Sequence, residues 1–295
     1  MVTPVTFLEM YHLLFIADPL LGVLSYASLR RYISGEPADG MVERGRLLDR
    51  IATARKDGSR GQIPNLFTLP SGHGIPTSEE FNLRAIRRAY AGRGSPNEMI
   101  DAVRLAVAFG LVTHPVSAGD YVEKWFGSDC NAFVGNWLGI SPSCSIRAYF
   151  TGYGTGAIPG SNAGIEASRR WLPLLPVASA GEVRMGNVVV TYGPPNDTGK
   201  QFKHIALVES CTSMGGGRHR LELAEWGQAG DIDKHHRTLT VRFDTSWRNP
   251  ERPKVPVLSF EDMGKHGLDH RVVLDHAPLN VFPWRGWEIA GQWGV

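Results

Sequence analysis

Two alternating apolar runs flank a glycine triplet in the second half of this chain, and they constrain its fold more than any other stretch. The runs cover residues 204–210 and 219–226, and the triplet occupies residues 215–217. Alternation with a period of two is typical of half-buried strands, so the pattern predicts an antiparallel β-hairpin. A run of branched residues over 186–192 predicts a further strand.

The register of this hairpin follows from the pairs that it would make. Placing His204 opposite Glu225 gathers the apolar side chains on one face and pairs Glu209 with Arg220 on the other. The hairpin would then hold a histidine beside a carboxylate that can orient the ring and stabilise its charged form. The alternative is that His204 begins a surface strand and Glu225 ends one in solvent.

A predicted helix upstream of the hairpin begins near Cys130. Ser128 and Asp129 are both residue types that cap a helix N-terminus, which places the cysteine in the first turn. The positive end of a helix dipole and a neighbouring histidine both stabilise a thiolate. Cys130 is therefore a candidate nucleophile, with His204 as its base and Glu225 as the orienting residue. A small buried side chain at a helix start is the alternative for this cysteine.

Composition excludes several classes of protein. The 295-residue chain carries 31 Lys and Arg and 29 Asp and Glu, so its net charge is +2. This balance gives no indication that the protein binds nucleic acid or an anionic membrane. Its three cysteines include no C-x-x-C pair, and their odd number argues against a disulfide framework. We expect no bound metal and no cofactor. The N-terminal segment lacks the features of a secretory signal, and its apolar stretches are too short to span a membrane. We expect synthesis in the cytoplasm, with export by a specialised secretion system or release by lysis if the protein acts on the cell wall.

The first part of the chain is predicted to be mostly helical. Helical periodicity and capping signals predict helices within residues 5–33, 41–55, 78–91 and 97–109, with a loop over 56–77. We therefore predict an N-terminal helical domain over residues 1–112 and a second domain over residues 113–295.

Three segments of the second domain resemble a known family of cysteine peptidases. Asp129-Cys130-Asn131-Ala132-Phe133-Val134 and the following Leu138-Gly139-Ile140 are similar to the D-C-S-G-F-V…G-I signature of NlpC/P60 peptidases, with Asn-Ala in place of Ser-Gly. Residues 186–189, Gly-Asn-Val-Val, resemble the G-D-V-V strand of that superfamily, and residues 204–209 resemble its H-V-A-V-V strand. Glu225 resembles the glutamate that the related CHAP amidases carry on the strand after the histidine. The resemblance covers about residues 115–245.

The resemblance implies an α+β papain-like core in which the cysteine helix packs on an antiparallel sheet. It implies that Cys130 attacks an amide carbonyl, that His204 moves the proton, and that Glu225 orients His204. The backbone N–H of Cys130 and the hydroxyl of Tyr121 would stabilise the oxyanion. The implied substrate is a peptide of bacterial peptidoglycan, cut by a cell-wall amidase or endopeptidase, and an immunity or inhibitor protein is a further candidate partner.

Two other functions are compatible with the same residues. The protein could be a protease or deamidase toxin that acts on a cytosolic protein, since the sequence contains no recognisable wall-binding repeat. It could also be an inactive binding module, since the pair Asn131-Ala132 departs from the family pattern.

Other residues compete for roles in a site. Cys144 is an alternative nucleophile, whereas Cys211 lies near the hairpin turn and is expected to be structural. Asp244 is an alternative orienting residue. A further alternative is a metal site formed by Asp231, Asp233, His235 and His236. Another is an aromatic surface that stacks on sugar rings or binds a partner, formed by Trp284, Trp287 and Trp293.

Overall fold

The computed structural model describes residues 2–18, 23–33, 37–56, 83–114, 117–138, 175–192, 202–227, 235–246, 248–249, 252–256, 258–262 and 270–275. The described residues form two compact units. The helical unit contains the described residues between 9 and 129, and the barrel unit contains residues 2–8 and the described residues from 130 onward. Among the described residues, no helix is both long and apolar enough to cross a membrane.

The first 129 residues contain five helices and a short hairpin in their described part. The elements are α1 Pro4–His12, β1 Leu14–Asp18, β2 Val23–Ala27, α2 Ala38–Lys56, α3 Leu83–Tyr90, α4 Pro96–Ala108 and α5 Ala118–Trp125. The predicted boundary after residue 112 falls inside the helical unit, because α5 packs against β2 and α4. A capping box starts α4, in which the Ser95 hydroxyl accepts from the Glu98 N–H and the Glu98 carboxylate accepts from the Ser95 N–H.

The helices predicted over 41–55 and 97–109 are confirmed, and α3 lies within the predicted 78–91. The prediction of helix over 5–33 is wrong after His12, where β1 and β2 pair in antiparallel register. The two strands bury alternate side chains such as Leu14 and Ile16 but also expose Phe15 and Tyr26. Because apolar residues occupy both faces of these strands, residues 14–27 do not show the alternation of apolar and polar residues that is typical of a strand.

In its described part, the barrel unit contains one α-helix and a closed antiparallel sheet. Its described elements are α6 Cys130–Leu138, β3 Leu175–Pro176, a 3-10 turn Ala180–Glu182, β4 Val188–Tyr192, β5 Phe202–Gly215, β6 Arg218–Glu225, β7 His236–Asp244, β8 Arg248–Asn249, β9 Arg252–Pro256, β10 Ser259–Asp262 and β11 His270–Asp275. Six strands follow the order β10-β7-β6-β5-β4-β11, and β10 also pairs with β11, which closes the barrel. The short β3 pairs with β11, and β8 and β9 pair with each other in a separate two-stranded sheet.

One face of the barrel sheet forms a continuous apolar core. Ala206 and Val208 of β5, Leu223 of β6 and Val241 of β7 are among its fully or almost fully buried members. Helix α6 packs against β5 and β6. The structure is therefore of the mixed helix and strand class, with the cysteine helix against an antiparallel barrel, while a papain-like core stays a prediction.

The hairpin of β5 and β6 is confirmed, but its predicted register is wrong by two residues. Ala206, not His204, lies opposite Glu225, and the register shifts again between Val208 and Ser210. A shift of two residues keeps the side chains between His204 and Val208 on their predicted faces, whereas the second shift places Cys211 instead of Ser210 beside the apolar core. The predicted pair of Glu209 and Arg220 does not form, because Arg220 lies opposite Thr212. Glu209 instead accepts the Val5 N–H at 2.9 Å near the start of α1.

Candidate functional site

The predicted nucleophile is the first residue of α6. Cys130 is only 3% exposed, and Ala132, Phe133 and Val134 of the same helix are fully buried. Asp129, which precedes the helix, pairs through Oδ1 with Nη1 of Arg93 at 2.6 Å. The position at the helix N-terminus is the one that the sequence predicted.

Three contacts within the barrel unit hold α6 in place. The rings of Phe7 and Phe133 stack with centroids 5.8 Å apart, and Trp137 donates from Nε1 to the Val2 carbonyl at 3.1 Å. Gly186 lies against the Trp137 ring with a φ of 85°. These contacts position the N-terminal end of α6 independently of the side chain of Cys130.

The predicted base and orienting residue meet on the barrel sheet. Nε2 of His204 lies 3.0 Å from Oε2 of Glu225, and the His204 side chain also forms a hydrogen bond with Cys130. His204 is diagonal to Glu225 across β5 and β6, within reach of side chains of this length. The structure therefore brings together the three residues that the sequence predicted as nucleophile, base and orienting group.

The surroundings of His204 favour its protonated form. Burial alone lowers the pKa of His204, but hydrogen bonds and charge interactions with Cys130 and Glu225 outweigh it and raise this pKa to about 10. Burial raises the pKa of Glu225, whereas its hydrogen bonds and ion pairs with His204 and Arg237 lower it below its usual range. The Glu225 side chain is 8% exposed and that of His204 is 26% exposed. The arrangement is suited to a thiolate–imidazolium pair beside an ionised carboxylate.

A fourth charged residue, which the sequence did not indicate, contacts this site. Nη1 of Arg237 on β7 lies 2.9 Å from Oε1 of Glu225. Arg237 reaches Glu225 because Leu223 of β6 pairs with Arg237 in the β6–β7 register. No local motif marks Arg237, since its role depends on the pairing of a third strand.

Asn187 occupies the position at which the family pattern has aspartate. Its side chain is buried, Oδ1 accepts the Arg184 N–H at 2.8 Å, and Nδ2 donates to Oδ1 of Asp275 at 2.9 Å. An aspartate at this position would place two carboxylates in contact. The amide is therefore the side chain that fits beside Asp275.

We expect Asn187→Asp to destabilise the protein by about 1–3 kcal/mol, because it replaces a buried donor by a second acceptor. The matched control is the double variant Asn187→Asp with Asp275→Asn, which restores one donor and one acceptor. Chemical denaturation of both variants measures the coupling between the two positions. Equal stability losses in the single and double variants would contradict this interpretation.

The hydroxyl of Tyr121 already has a partner in the helical unit. It donates to Oε1 of Glu43 at 3.1 Å and lies 2.6 Å from the Tyr90 hydroxyl. Burial is the main cause that raises the pKa of both tyrosines. Because a phenol has one proton to donate, we do not include Tyr121 in the site, contrary to the sequence prediction of an oxyanion donor.

The other competing residues take structural positions or lie outside the described part. Cys211 is on β5, where burial raises the pKa of its thiol, and Asp244 accepts from the Ser246 N–H. His235 is buried against the Trp226 ring, with centroids 4.6 Å apart, and His236 is exposed. The described residues contain no group of three or more His, Cys, Asp or Glu that could hold a metal. Cys144, Asp231, Asp233, Trp284, Trp287 and Trp293 lie outside the described residues.

Comparison with protein-family models, curated proteins and solved structures found no match for this chain. The geometry of Cys130, His204 and Glu225 is therefore the basis for any functional conclusion.

Proposed function

We propose that this protein is a cysteine hydrolase that cleaves amide bonds, with Cys130 as nucleophile, His204 as general acid and base, and Glu225 as the residue that orients His204. The observation that carries the proposal is the continuous hydrogen-bonded series from Cys130 through His204 to Glu225. Nucleophile, base and orienting group in this order form the arrangement that activates a thiol.

The proposed reaction proceeds in two steps. The thiolate of Cys130 adds to the amide carbonyl, the C–N bond breaks as His204 gives its proton to the leaving amine, and a thioester remains. Water then loses a proton to His204 and attacks the thioester, which releases a carboxylic acid and restores the thiol. The backbone N–H of Cys130, at the start of α6, would donate to the oxyanion in both steps.

The proposed substrate class is the peptide part of bacterial peptidoglycan. Its support is the resemblance of the segments around Cys130, Gly186 and His204 to those of NlpC/P60 peptidases, with Glu225 resembling the CHAP amidases. The expected partners are therefore a wall peptide and, as a further candidate, an immunity or inhibitor protein. Action on the wall would require export by a specialised secretion system or release by lysis.

The test incubates the purified protein with isolated sacculi and, separately, with an unfolded protein such as casein. We expect soluble muropeptides with a newly formed amine and carboxylate, identified by mass spectrometry, from the sacculi alone. Cleavage of casein only would support a protease that acts on cytosolic proteins. No cleavage of either substrate, together with no labelling of Cys130 by a thiol-reactive amide mimic, would support an inactive binding module and contradict the proposal.

A further inference from the structure

We infer that Arg237 is a positioning residue of the site, which holds the Glu225 carboxylate in the orientation that His204 requires. This inference rests on the proposed function, because it assigns a role within the same site. It extends the proposed site from three residues to four and places the fourth on a strand that neither the motifs nor the predicted hairpin includes.

The sheet places the three side chains in one diagonal row. Ala206 pairs with Glu225 and Leu223 pairs with Arg237, so His204, Glu225 and Arg237 project from the same face of β5, β6 and β7. This is the face that carries the apolar barrel core. The row is therefore fixed by strand pairing on three consecutive strands and not by a flexible loop.

The two oxygens of Glu225 have separate partners. Oε2 faces Nε2 of His204 at 3.0 Å, and Oε1 faces Nη1 of Arg237 at 2.9 Å. The backbone N–H of Glu225 also donates to the His235 carbonyl at 2.8 Å, which fixes the start of this side chain. With Oε1 held by Arg237, the carboxylate cannot rotate without breaking a charge-assisted hydrogen bond.

Arg237 also supplies a charge that stays constant through the reaction. His204 is neutral in the steps after it has given up its proton, and Glu225 is 8% exposed, so its carboxylate then needs another cation nearby. Arginine remains protonated throughout, and the Arg237 side chain is 28% exposed. Arg237 thus keeps Glu225 ionised when His204 is neutral.

Two opposite effects on His204 separate this role from a simple charge effect. Cys130 of α6 and Glu225 of β6 both contact His204. Arg237 of β7 contacts the other oxygen of Glu225. The residue opposite His204 on β4 is the uncharged Thr191. If Arg237 acted only as a nearby positive charge, its removal would raise the pKa of His204. If Arg237 positions Glu225, its removal lets the carboxylate turn away or become protonated, and the pKa of His204 falls.

The experiment is an NMR titration of the His204 imidazole in the full chain, with the signal assigned by His204→Ala. We expect Arg237→Met to lower the pKa of His204 by about one unit or more, and Arg237→Lys to restore most of the difference. Arg237→Gln, which keeps a hydrogen-bond donor, is measured alongside in case the Met variant fails to fold, and we expect a smaller fall. The matched control is Arg220→Met, because Arg220 pairs with Glu222 at 2.8 Å on β6 and should leave His204 unchanged.

An unchanged or raised pKa of His204 in the folded Met or Gln variant would overturn the inference. The titration needs no substrate, so a lack of hydrolase activity would contradict the proposed function without affecting this result. Where activity is measurable, we expect Arg237→Met to lower kcat/KM by about 10- to 100-fold through misplacement of the base. The Lys variant should recover most of that loss.

Discussion

Replacement of Cys130 by alanine is expected to reduce amide hydrolysis by about 10⁴-fold or more, because no other group in the site can form the thioester. The substrate assay is the release of muropeptides from sacculi, or of peptides from casein if that substrate is cleaved instead. Since Cys130 is almost fully buried, each variant is first checked for native folding by thermal unfolding.

The matched control for this prediction is Cys211→Ala. Cys211 is partly buried on the same sheet, seven residues beyond His204 along β5, which corresponds to about 23 Å at the usual strand rise. We expect this variant to keep the activity of the parent protein. A Cys130→Ala variant that is folded and as active as the parent would show that the nucleophile lies elsewhere.

Gly186→Ala should produce the largest loss of stability among the single substitutions considered. Gly186 has a φ of 85°, and a Cβ built on it would lie 2.6 Å from Cη2 and 3.1 Å from Cζ3 of Trp137. The ring is held through its Nε1 bond to the Val2 carbonyl, so it cannot move aside freely. We expect a loss of about 2–4 kcal/mol, the sum of backbone strain and overpacking.

Gly215→Ala is the control that separates these two causes. Gly215 has nearly the same φ, 83°, but nothing lies within 4 Å of an added Cβ. Its substitution should therefore cost only the backbone strain, about 1–2 kcal/mol. Urea denaturation of both variants measures the difference. Equal losses would mean that the contact of Gly186 with Trp137 does not hold α6 in place within the barrel unit.

The local features of the site could be predicted from the sequence. Capping residues and helical periodicity located the start of α6 at Cys130, and alternation around the glycine triplet located β5 and β6. The face on which His204 and Glu225 lie also followed from alternation, because an error of two residues in register leaves each side chain on the same face. Local sequence patterns therefore predict that His204 and Glu225 lie on one face of the hairpin.

Features that depend on distant pairing could not be predicted in this way. The register of the hairpin depends on a bulge near Glu209, whose carboxylate binds the backbone of Val5 about 200 residues away in sequence. The contact of Arg237 with Glu225 depends on the pairing of β7 with β6, which no local pattern predicts. The sequence pattern of β1 and β2 predicts a helix instead of a hairpin, because the exposed face of this hairpin is also apolar. In each case the deciding interaction lies outside the window that a sequence pattern covers.

The most direct test of the proposed site is the pH dependence of Cys130 alkylation by iodoacetamide, in the parent and in His204→Ala. The Cys130 peptide is quantified by mass spectrometry, so labelling of Cys144 and Cys211 does not interfere. Because the raised pKa of His204 keeps a charged imidazole beside the Cys130 thiol, we predict that the parent is labelled faster than His204→Ala at every pH below 7. Identical labelling profiles in the two proteins would contradict the pairing of Cys130 with His204 and with it the proposed hydrolase.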